Sequence, residues 1–390
     1  MKGIITIAFI FVFQLINAQS GIIIPRYIKM PKDSVISKQI ISSLNGFLLS
    51  AQENTSANPY ILPSQLIETN ILLDEFKGIE KSRKFKDEHF FKPYLDNIVE
   101  IDKDKYLIQI SHIGAKDSIS YLRSVFDIIA YRNNDAFLFS SPLIEYTKSW
   151  KTKNIGNITV HYKDRINENK VKDFVKTQKQ FDNMLNIENG RYDIYCCSNA
   201  NEVQKISGAE IKLDYNGRNN LSLSYNQNQK TLMITTNFGE YFDDFDPHDL
   251  FHWRAVKAIP RETYNHYMVC GCAYIYGGSW GISWEEIKEM FKTKMLDNTK
   301  KDWLKLYIER YNFGESREKH LLVTQFINAL IIEKVQNEKG DAGIIQLLNT
   351  GSFRRNKEQF FNNLDKITGI NEDNFNEKVS ALVKNEYGKK

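Results

Sequence analysis

His248-Asp249-Leu250-Phe251-His252 sets two imidazoles four residues apart. On an α-helix that spacing puts both rings on one face, where they can grip one zinc ion. Pro247 stands where a helix can begin, and Asp246 can cap it through its side-chain oxygen. Asp243, Asp244 and Asp246 lead into this turn. Asp249 lies between the histidines. Further on, Cys270 offers a thiol, and a thiolate is a competent zinc ligand. The spacing itself selects His248 and His252 as metal-ligand candidates. Glu262, His266, Glu285 and Glu286 are replacement ligand candidates. Among them His266 stands out for lying between the histidine pair and Cys270, although its setting beside Tyr264 and Asn265 also reads as an irregular surface stretch. Tyr307, Tyr311 and His320 are candidates for stabilising an oxyanion, and spacing does not choose among them.

These residues need a scaffold. Val35, Ile36, Ile40, Ile41, Leu44 and Leu48 recur at helical spacing and predict a helix over 34–52, with a second over 64–76. After Lys92-Pro93 the rhythm becomes that of strands. Ile98–Ile101 and Tyr106–Ile113 read as one hairpin, and Val125–Tyr131 and Phe137–Ser140 as another. Helices followed by an antiparallel meander suggest a small α+β domain of the curved-sheet, cystatin-like kind. It shows no catalytic constellation; His89 and His112 read as an ordinary surface or hydrogen-bonded core pair of residues. A polar stretch at 151–156 marks a change of rhythm. Then come a strand (158–162), a helix (169–185), a strand (192–197), a short helix (201–206) closed by Gly208, and strands at 221–225 and 231–236. From Ser283 onward the pattern is helical, at 284–295, 301–311, 319–336, 342–349 and 360–368.

The order strand, helix, strand, short helix, strand and acidic-flanked His-x-x-x-His helix resembles the catalytic domain of gluzincin zinc metallopeptidases. The resemblance covers roughly residues 156–390 and rests on two motifs. The first is His248-Asp249-Leu250-Phe251-His252, where the family has H-E-x-x-H. The second is Cys270-Gly271-Cys272-Ala273, where a later helix carries E-G-x-A. The resemblance implies zinc as cofactor and a peptide or protein ligand. It places Asp249 where the family's Glu is the general base, and Cys270 where its third ligand Glu stands. Asp is one methylene shorter, and a misplacement of about 1 Å can cost on the order of a hundredfold in rate. Cys is also shorter than Glu, so its helix must lie nearer the metal. These departures point first to a catalytically degenerate, peptidase-like protein that binds a peptide or protein in the former active-site cleft. The alternatives are an active zinc hydrolase on His248, His252 and Cys270 with Asp249 as base, and a purely structural zinc or disulfide role.

The expected organisation is a signal peptide at 1–18, an N-terminal α+β domain at 19–155 and a metallopeptidase-like domain at 156–390. That domain combines a mixed sheet with a helical C-terminal half. Met1-Lys2, the apolar run from Ile4 to Phe13 and the small residue Ala18 have the order of a secretory signal, which predicts export to the periplasm or beyond. The run is well short of the ~20 apolar residues of a spanning helix. Lys and Arg number 52 against 48 Asp and Glu, too small and too scattered an excess for a nucleic-acid partner. Export permits disulfides, and Cys196-Cys197 and Cys270/Cys272 form two close pairs; a bridge between the pairs and four buried thiols are both open. Gly277-Gly278-Ser279-Trp280-Gly281 lacks the Lys and the strand–turn–helix setting of a phosphate loop. Its glycines read as the turn before a helix capped by Ser283, with Glu286 completing a capping box.

Overall fold

The computed structural model describes residues 21–53, 58–188, 190–297, 300–314 and 320–388. The expected signal peptide, residues 1–18, lies outside them. The protein is α+β, with one antiparallel sheet, one mixed sheet and a set of helices. Two compact units interleave along the chain: Met1–Ile166 with Gly190–Asp243, and Asn167–Asn189 with Asp244–Lys390. The chain passes between them three times, whereas a division at 155 makes a single cut.

In the first unit, α1 (Ser34–Glu53) and α2 (Leu66–Phe76) precede a meander of β1 (Lys92–Asp102), β2 (Lys105–Lys116), β3 (Ile119–Asn133) and β4 (Ala136–Ser140). Asp104 and Asn134 take left-handed backbone (φ 59° and 55°) at the first and last hairpin turns, a conformation their short polar side chains tolerate. Phe76 of α2 stacks on Phe126 of β3 with centroids 4.0 Å apart. His112 is buried beside the Ser124 hydroxyl, and burial lowers its pKa to about 4, so it is a neutral core histidine. His89 is exposed.

After α3 (Leu143–Tyr146) come β5 (Lys151–Ile155), β6 (Ile158–Tyr162), α4 (Glu168–Met184), β7 (Arg191–Cys196), α5 (Ala200–Ser207), β8 (Ile211–Lys212), β9 (Ser222–Gln227) and β10 (Lys230–Thr235). The second sheet runs β5-β6-β7-β10-β9, with β6, β7 and β10 parallel and both edges antiparallel. β8 joins the first sheet through β3. The stretch expected to be a polar boundary, 151–156, is largely the edge strand β5. No β5 side chain is fully buried, so its sequence carries no alternation to read.

The second unit contains α4 and the remaining helices: α6 (Pro247–Ala258), α7 (His266–Gly277), α8 (Trp284–Met295), α9 (Trp303–Ile308), α10 (Val323–Leu348), α11 (Lys357–Thr368) and α12 (Phe375–Gly388). The two helices expected at 319–336 and 342–349 are one kinked run, α10, broken by Gly340 at φ 63°. The helix expected at 301–311 shrinks to α9 because Arg310 turns left-handed. No strand occurs among this unit's described residues. Phe291, at its core, stacks on Phe326 at 3.7 Å. All four cysteines are buried free thiols, so the disulfide alternative has no counterpart here. Among the described residues no helix is long and apolar enough to cross a membrane.

Candidate metal centre

α6 starts as its sequence dictates: Pro247 takes the first turn, and the Asp246 carboxylate accepts from the His248 N–H at 2.8 Å. α7 starts at His266, where the Asn265 side chain accepts from the N–H groups of Tyr267 and Met268. Two glycines let α7 approach its neighbours. A Cβ on Gly271 would lie 2.9 Å from the Ala329 nitrogen of α10, and one on Gly277 would lie 2.2 Å from the His248 nitrogen of α6. Gly278 follows at φ 66°, and Ser283 with Glu286 forms the expected capping box of α8. The glycine stretch is thus a turn and a packing point. Gly277→Ala should drive α6 from α7 and destabilise the protein by about 1–3 kcal/mol, as overpacking does. Urea unfolding checks this; an unchanged midpoint would show that the contact yields freely.

The close approach brings His252, His266 and Cys270 together, one ligand atom of each lying within 4.8 Å of the others. Cys270 Sγ is 3.7 Å from His252 Nε2 and 3.5 Å from His266 Nε2. Tetrahedral zinc with bonds of about 2.3 Å to sulfur and about 2.05 Å to nitrogen would put S and N about 3.6 Å apart. The donor set fits zinc in type and in its sulfur–nitrogen spacing. Burial, reinforced by the neighbouring histidines, holds the His252 pKa down to about 3, and that of His266 is also lowered, chiefly by burial. Neutral imidazole is the form that binds metal. Burial pushes the Cys270 thiol up to about 12, with Gln325 and Arg310 pulling the other way. Tyr274 donates its hydroxyl proton to the Gln325 carbonyl oxygen at 2.5 Å, and the Gln325 amide is in hydrogen-bond reach of Cys270.

His248, expected as a ligand, is not in this set. Its Nδ1 donates to the Gly278 carbonyl at 2.6 Å, and its ring centroid stands 5.0 Å from that of His252. His266 takes the third place. Its signal was in the sequence, since His266 and Cys270 share the i, i+4 spacing that made the first pair visible. A cleft of about 520 Å³ opens on the cluster, lined also by His248, Asp249, Arg310 and His320. Four of the chain's seven histidines thus line one cleft. Burial, then the charge of Asp246, raises the Asp249 pKa. Glu286 is committed to the capping box, Glu285 pairs with Lys288, and Glu262 is exposed outside the cleft lining. Of the oxyanion candidates, His320 lines the cleft, whereas Tyr307 is fully buried and donates to Asn328, and Tyr311 lies outside the lining.

No family model matches the sequence, and no curated protein matches it.

Proposed function

We propose that the chain is an exported zinc hydrolase, cleaving peptide or related acyl bonds with zinc on His252, His266 and Cys270. The observation that carries the reading is three ligand atoms within 4.8 Å of one another, with both sulfur–nitrogen distances at the tetrahedral value, beside a cleft. Structural zinc sites close the shell with four protein ligands, and catalytic sites keep a position open. Zinc so held supplies Lewis-acid polarisation of a carbonyl and activation of water. Asp249, with its raised pKa, is the proton acceptor from the cleft side. His248 also lines the cleft, its Nδ1–H given to the Gly278 carbonyl. Gln325, anchored by Tyr274, holds the Cys270 sulfur by its amide.

One observation favours a non-catalytic reading, in which the cleft only binds peptide or protein. Asp249 is one methylene shorter than the Glu of the resembled motif, a deficit that turnover would feel. The two readings part on turnover. Zinc-loaded protein incubated with a mixed peptide pool should give cleavage products by mass spectrometry, lost with chelator and in Cys270→Ser. Zinc at one per chain with no products would leave the binding reading.

The protonation states also predict how zinc affinity follows pH. His252 and His266 are neutral at pH 7 in the metal-free protein and surrender no proton, while Cys270 surrenders one. Affinity should therefore rise about tenfold per pH unit between roughly pH 7 and 10. Chelator competition at several pH values measures the slope; a pH-independent affinity would show that Cys270 is not a ligand.

A further inference from the structure

Arg310 is the one Lys or Arg among the described residues that line the cleft. It leaves α9 with φ 57°, a conformation that a side chain-bearing residue adopts only when its surroundings hold it. Two hydrogen bonds fix the turn, from the Tyr311 N–H to the Leu306 carbonyl at 3.0 Å and from the Val323 N–H to the Tyr311 carbonyl at 2.9 Å. The guanidinium then lies 5.3 Å over the ring of Tyr267, the neighbour of His266 on α7. Its positive charge reaches both His266 and Cys270. Among the described residues no carboxylate forms an ion pair with it. Of the two acids in the cleft lining, Asp246 caps α6.

A guanidinium held in a cleft with no carboxylate partner among the described residues is matched by a planar carboxylate. We infer that Arg310 anchors a carboxylate of the ligand, so that the cleft takes peptides bearing a free carboxylate next to the cluster. The carboxylate comes from a peptide C-terminus or from an Asp or Glu side chain. This rests on the zinc-centred reading of the cleft, and it names the ligand class.

The test uses zinc-loaded full-length protein and isothermal titration with pooled N-acetylated tripeptides. One arm compares free C-terminal acids with their amides. The other compares amides containing Glu or Asp with amides containing Gln or Asn. In one of the two arms the acidic member should bind about ten- to a hundredfold more tightly. Arg310→Met should abolish that preference, and Arg310→Lys should keep part of it, both retaining zinc. Equal binding in both arms by wild-type protein, or no binding in either, overturns the proposal even if zinc is present. Failure to bind zinc instead removes the functional reading. The same titrations on metal-free protein then judge Arg310 alone, and absence of acid preference there overturns it.

Discussion

His266→Ala should strip zinc from the protein, while His248→Ala should leave it in place. The contrast separates two ligand sets that share His252 and Cys270. Spacing along α6 selects His248 as the third member, and the observed distances select His266, at 3.5 Å from the Cys270 sulfur. His248 is spent differently, its Nδ1–H bound to the Gly278 carbonyl. A structural zinc site contributes roughly 10–16 kcal/mol across four ligands, so one ligand carries about 2.5–4 kcal/mol. Its loss should weaken binding on the order of a hundred- to a thousandfold. Elemental mass spectrometry on untagged protein, followed by chelator competition, reads this directly. Zinc retained in His266→Ala and lost in His248→Ala would restore the set expected from spacing. Cys270→Ser should fail alongside His266→Ala, since both remove a donor from the same shell.

The reason that the sequence put His248 first and held His266 only as a replacement ligand lies in what each residue announces. His248 and His252 are a familiar pair, and Asp246 and Pro247 mark the helix start unambiguously, as the cap shows. His266 and Cys270 carry the same periodicity on α7, but a His-x-x-x-Cys pair is less conspicuous. Resemblance to E-G-x-A drew attention to Cys270 alone. Arg310 was invisible for a different cause. It sits on a left-handed turn after a short helix, and neither periodicity nor a motif marks such a place. The strongly patterned elements were legible: the β1–β4 meander, β6, α8 with its capping box. The elements that escaped have little buried surface to pattern their sequence. α12 buries only Phe375, Val379 and Val383, a spacing of four on one face of an otherwise largely exposed helix.

Arg254→Ala should cost about 3–5 kcal/mol of stability, the loss expected when one member of a buried ion pair is removed. Arg254 lies two residues past His252 on α6, so it points about 200° away from the cleft-facing ring. There its Nε donates to the Asp182 carboxylate of α4, with the two side chains 6% and 1% exposed. Gln178 donates to the other Asp182 oxygen at 3.3 Å, and Phe181 meets Phe251 edge-on at 5.1 Å. One face of α6 is thereby fastened to α4 while the other presents His252. Removing the guanidinium strands a carboxylate that water cannot reach, whereas removing both charges leaves only a volume to fill. Arg254→Met with Asp182→Leu should therefore recover most of the loss, because apolar replacement of a buried pair is often neutral. Urea unfolding of the two single variants and the double variant gives the coupling energy. A single-variant cost below about 1 kcal/mol, the range of exposed pairs, would show that water reaches Asp182. Zinc affinity measured on the same three proteins extends the argument to the site. If α4 holds α6 in register for metal binding, Arg254→Ala should weaken zinc and the double variant should restore it. If the pair serves stability alone, zinc affinity stays level while the unfolding midpoint moves.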